Sequence, residues 1–126
     1  MQTKIIAIYK KEEEINKILE QIKDYLFDEL KKSEHFEFSI LEKATDLDLI
    51  KTTFLKFELI RIIEVRENEK GKKYFGLNYE LEDGTSVIIA LSLDKKPPVI
   101  INAYHRNTNY KKFEKSLRKN YKNKFI

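Results

Sequence analysis

The chain has 126 residues, the size of one domain, and its 41% of hydrophobic residues can build a core. It has no Cys and only two His, which excludes disulfides, thiolate metal sites and a cysteine nucleophile, and leaves too few ligands for a structural zinc site. The net charge of +4 is unevenly spread: residues 105–126 hold eight Lys and Arg against the single acid Glu114, a net +7, and residues 1–104 carry −3. Such asymmetry points to a polyanionic partner, nucleic acid before membrane. No run reaches the length of a transmembrane helix, so a cytoplasmic protein without membrane contact is expected.

In chain order, residues 4–10 are short, apolar and rich in Ile, and read as a strand. A helix follows, with Ile15, Ile18, Leu19, Ile22, Leu26 and Leu30 on one stripe. Glu12 to Glu14 lie in its first turn, and Lys31 and Lys32 in its last. Phe36, Phe38 and Ile40 alternate and predict a short strand or extended link. Thr45 and Asp46 cap a second helix reaching about Leu55, with Leu47, Ile50 and Phe54 inward. A strand is expected over 57–65, with Arg61 breaking its apolar face, and a turn over 68–72.

Phe75, Leu77, Tyr79 and Leu81 form the next alternating face, and Asp83-Gly84 is a hairpin signal. Val87 to Leu93 alternate, Pro97 and Pro98 make a turn, and residues 99–104 form the last strand. Asn107 to Asn109 supply a cap for a final helix with Tyr110, Phe113, Leu117 and Tyr121 on its stripe. The order β-α-α-β-β-β-β-α predicts a single α+β domain with an antiparallel sheet of four to five strands.

The stretch 104–112 carries the most chemistry. A helix N-terminus suits an anion, Arg106 offers a planar fork to phosphate, and His105 is of the type that moves protons near neutral pH. Tyr104 and Tyr110 are of a type that stacks on RNA bases. Lys111, Lys112, Lys115, Arg118, Lys119 and Lys122 continue the positive charge along the helix. His35 is expected in an exposed loop without a catalytic role. Glu80, Glu82, Asp83 and Asp94 lie near strand ends without a convincing metal-nuclease pattern, so neither metal nor cofactor is expected.

Two family resemblances follow from these residues. The stretch 41–48, the helix 48–56 and the Lys-bearing segment 68–73 resemble a winged helix–turn–helix, which implies DNA binding through Lys51, Lys56 and Lys70. The element order, with the ending Val99-Ile100-Ile101-Asn102-Ala103-Tyr104-His105-Arg106 followed by Tyr110, resembles the RelE/ParE and barnase–EndoU–colicin class of small ribonuclease toxins. That second resemblance covers more of the chain. It implies metal-free RNA cleavage by 2′-hydroxyl attack, with His105 as acid/base, Arg106 and Lys111 stabilising charge, and Tyr110 as terminal aromatic. RNA is thus the expected partner, with DNA the alternative. A third reading is an interaction module, such as an immunity protein, antitoxin or phage inhibitor, with the +7 segment docked on an acidic protein.

Overall fold

The computed structural model describes residues 2–43 and 45–126. Its order is β1 (Thr3–Tyr9), α1 (Glu12–Leu19), β2 (Lys31–Lys32), α2 (Glu34–Lys43), α3 (Leu47–Phe54), β3 (Ile60–Asn68), β4 (Lys73–Glu80), β5 (Ser86–Ser92), β6 (Val99–Arg106) and α4 (Tyr110–Asn120). The fold is α+β, with one six-stranded sheet in the order β1-β3-β4-β5-β6-β2. The sheet is mixed, because β2 pairs parallel to β6; the other pairings are antiparallel. Four to five antiparallel strands were too few, since the two-residue strand at Lys31–Lys32 has no periodicity to read. No helix among the described residues is long and apolar enough to cross a membrane.

Three expected elements are corrected. The first helix ends at Leu19, and a 3-10 turn follows at Phe27–Glu29. A continued helix would turn Leu26 inward and the larger Phe27 outward; the break buries Phe27 and leaves Leu26 59% exposed. Residues 36–40 are helical rather than extended. Ser33 Oγ accepts from the Phe36 amide at 3.1 Å and caps α2, while Phe36 is buried, Ile40 packs on the core and Phe38 points to solvent. His35 therefore lies in the first turn of a helix, not in a loop. Residues 57–59 form a 3-10 turn, so the strand expected from Phe57 starts at Ile60.

The turns form as anticipated, and the last helix does so up to Asn120; Tyr121, expected on its apolar stripe, lies past its end and is exposed. Gly71 and Gly84 take φ of +81° and +87° in the β3–β4 and β4–β5 turns, where a side chain would be strained. Asp46 caps α3 and Asn109 caps α4 through their side-chain oxygens. Within the winged-helix stretch, α3 buries Ile50, Thr53 and Phe54 against the sheet, and Ala44 lies outside the described residues.

Bulges decide which residues face which side. Register shifts fall between Ile5 and Ala7, between Ile60 and Ile62, and on β6 between Ile100 and Asn102. Arg61 is thus the extra residue of β3, and it binds Glu80 and the Glu58 carbonyl at the rim. The main core lies on one face, where Ile60, Ile63, Leu77, Val87, Ile89, Leu91 and Ile100 meet Ile15, Ile18, Phe27, Phe36, Ile50 and Phe54. Tyr79 Oη donates to the Phe54 carbonyl at 2.8 Å and ties α3 to the sheet. On the opposite face a smaller core joins Ile5, Ile8 and Ile62 to Leu117, Phe113 and Phe125. Helix α4 packs its apolar residues on the β1–β3 side of that face. The part toward Gly76, Ala90 and Asn102 stays open.

Candidate functional site

The open part of the second face is a cleft of about 680 Å³. Its floor is set by strand register: Glu64, Gly76, Ala90 and Asn102 lie opposite one another across β3, β4, β5 and β6. Gly76 leaves this part of the floor without a side chain; a Cβ there would stand in ordinary contact with Glu64 Cβ, at 3.6 Å. Arg66 and Tyr74 form the next row, and Tyr104 and the His35 turn of α2 line the far side.

A polar network runs along this face. Glu64 is only 4% exposed, in the middle of an apolar strand. One carboxylate oxygen accepts from Arg66 Nη2 at 2.8 Å and the other from Asn78 Nδ2 at 3.0 Å. Asn78, fully buried, uses its amide oxygen to accept from Arg106 Nη1 at 3.4 Å. Arg106 also donates to Tyr104 Oη at 3.3 Å, and its guanidinium lies over the Phe113 ring of α4. A single asparagine thus joins one carboxylate to one cation, and the second cation, Arg66, is held by that carboxylate, in surroundings where such contacts are strong. Arg66 keeps 41% of its side chain exposed, so the network is open to a ligand.

The residues anticipated from sequence divide between the two faces. His105 and Arg106 are neighbours on β6, and neighbours on a strand point to opposite sides. Arg106 joins the cleft network. His105 lies opposite Val87 on the helix-covered face, and its Nε2 is 2.7 Å from Thr85 Oγ1. The Thr85 hydroxyl has one proton and donates it to Asp83 at 2.6 Å, so His105 Nε2 is the donor to Thr85. The hydrogen bonds from the Thr85 hydroxyl and amide hold the Asp83 carboxyl below its ordinary value.

Tyr104 is exposed in the cleft, whereas Tyr110 is buried beneath α4. The Tyr110 hydroxyl donates to Glu114 at 2.8 Å; burial first, and that bond second, push the phenol well above its ordinary range. Glu114, the one acid of the basic segment, is also met by Lys10 and Arg118. Burial raises its carboxyl, but the hydrogen bonds from Lys10 and Tyr110 outweigh it and the net shift is downward. The outward side of α4 is left with one sign of charge. A groove there is lined by Lys112, Lys115, Arg118, Lys119 and Lys122, and Lys111 is exposed on the same helix. Arg118 is also held over the Phe125 ring at 4.5 Å.

Glu64, Arg66 and Asn78 are not singled out by the sequence, and His35, expected in a loop without a role, lines the cleft from the first turn of α2. The available signal was a Glu within Ile60-Arg61-Ile62-Ile63-Glu64-Val65-Arg66, but the bulge at Arg61 shifts the alternation that would have placed it. Comparison with protein-family models, with curated proteins and with solved structures found no match.

Proposed function

We propose that the protein binds single-stranded RNA along α4 and cleaves it without metal in the open-face cleft. The observation that carries this reading is the buried Glu64, fixed between Arg66 and Asn78 on the floor of a cleft lined by Arg66 and His35, with Arg106 joined to it through Asn78.

In this reading an RNA phosphate sits between the two guanidinium groups. Glu64 takes the proton of the 2′-hydroxyl as its oxygen attacks phosphorus. The bond from phosphorus to the 5′-oxygen breaks, and the His35 imidazolium gives that oxygen a proton. The products are a 2′,3′-cyclic phosphate and a 5′-hydroxyl. Arg66 and Arg106 stabilise the charge that builds on the phosphorane. Tyr104, which is exposed, supplies an aromatic face for an unstacked base.

A second reading centres on His105, and the Asp83–Thr85–His105 relay favours it, because it fixes the imidazole tautomer. RNA cleavage in EDTA separates the two. The cleft reading expects wild type to cut, Glu64→Gln to cut about 100-fold more slowly, and His105→Ala to cut as wild type does. Loss of cutting in His105→Ala with full activity in Glu64→Gln would transfer the chemistry to His105. Absence of cutting by wild type would end both readings.

A further inference from the structure

The β6 bulge sets up a second feature in the cleft, away from the Glu64–Arg66 pair. Ile101 is the extra residue, so Asn102 rather than Ile101 lies opposite Ala90 and faces the open side. Bulges re-aim side chains beside binding sites. Asn102 Oδ1 accepts from the Ala103 amide at 3.0 Å. A backbone amide can only donate, so the side-chain oxygen must face it, and the NH₂ group is the part of Asn102 left for a ligand. The small Ala90 sits beneath, and Tyr104, two residues along the same strand, presents a ring that is 38% exposed. An aromatic face, a low floor and a fixed NH₂ donor together match one flat ligand with hydrogen-bond acceptors on its edge.

We infer that Asn102 and Tyr104 form a nucleobase subsite, in which the base stacks on Tyr104 and an acceptor-rich edge meets Asn102 Nδ2. Cytosine, through N3 and O2, and guanine, through O6 and N7, offer two adjacent acceptors; adenine and uracil offer acceptors flanked by donors. This inference rests on the RNA-binding reading above but not on cleavage. It makes Asn102 a specificity-determining residue, not part of the proton-transfer chemistry.

The test is fluorescence anisotropy with 2′-O-methyl oligonucleotides of each base, which bind but cannot be cut. Wild type is expected to favour the C and G oligomers over A and U by about fivefold, the scale of one net hydrogen bond. Asn102→Ala removes the donor and is expected to level the four affinities. Asn102→Asp keeps the oxygen that serves Ala103 and replaces the donor by an acceptor. Its added charge weakens all four oligomers alike, so the readout is their ratio, and the C and G preference should be lost. A preference unchanged in both variants, or equal affinities in wild type, would overturn the subsite. Base-selective binding that depends on Asn102, without any RNA cutting by wild type, would keep the subsite and remove the cleavage reading. If no oligomer binds at low salt, the subsite and the RNA reading both fail.

Discussion

The Arg106 guanidinium lies 3.6 Å from the centre of the Phe113 ring, which couples the last strand directly to the last helix. A guanidinium over a phenyl face is worth about 1 kcal/mol. A double-mutant cycle with Arg106→Met and Phe113→Leu, measured by urea denaturation, should return a coupling of that size. Strict additivity would mean that the contact carries no energy.

Asn78 joins Glu64 to Arg106, so its amide nitrogen cannot be exchanged for oxygen without conflict. Asn78→Asp sets two carboxylates face to face in a buried place and should cost about 3 kcal/mol at neutral pH. The loss should shrink near pH ~4, where one of the pair takes a proton and the hydrogen bond returns. Denaturation curves at the two pH values read this directly, and a penalty independent of pH would argue against like-charge repulsion.

Ser86 lies opposite Arg106 on β5, and its Oγ is buried without a hydrogen-bond partner among the described residues. Burying an unpaired hydroxyl is unfavourable, so Ser86→Ala should leave stability unchanged or raise it by up to ~1 kcal/mol. A clear drop in Tm would reveal a partner for that oxygen.

Glu114 and Tyr110 give stability opposite pH limits. The Glu114 carboxyl is held below its ordinary value of 4.5, so its contribution is present above that value and is lost as pH falls through the lower, folded-state value. The Tyr110 phenol is raised above its ordinary 10.0, so its contribution is intact below pH 10 and fades as pH rises beyond it. Glu114→Gln should therefore flatten the acid limb of a plot of Tm against pH, and Tyr110→Phe the alkaline limb. Limbs unchanged in both variants would place the titration elsewhere.

Binding of RNA along α4 should release counterions. Each phosphate contact adds about 0.7 to the slope of log affinity against log salt for a single strand. Replacing Lys112, Lys115 and Lys119 by Gln together should lower the slope by about 2. An unchanged slope would take the nucleic acid off this helix.

Much of this fold is written locally in the chain. The turns at Gly71 and Gly84, the caps Asp46 and Asn109 and the alternation of β4 and β5 depend on near neighbours, so the sequence reveals them. The errors arose where tertiary packing overrides local pattern. Phe36 and Ile40 fit a strand and a helix equally well; the Ser33 cap and the burial of Phe36 choose the helix. Phe27 ends the first helix early because the core takes the larger ring. The basic helix was legible as charge, and Tyr104 and Arg106 as candidates. Their separation from His105 follows from strand alternation, once residues 99–106 are seen as one strand. The Glu64 network was hidden because it joins β3, β4 and β6 through two bulges, and register between strands cannot be read from one segment.

Helix α4 is fastened at both ends. The Tyr110 amide donates to the Gly84 carbonyl at 2.7 Å, and beyond the helix Ile126 exchanges backbone hydrogen bonds with Ile8 and Lys10. Phe125 also bridges to Ile8 in parallel. Its lysines and arginines are therefore a pre-set array on a rigid support, not a tail that must fold around its ligand. Association should then proceed without the large negative heat capacity change that accompanies coupled folding, and its entropic penalty should fall mainly on the ligand.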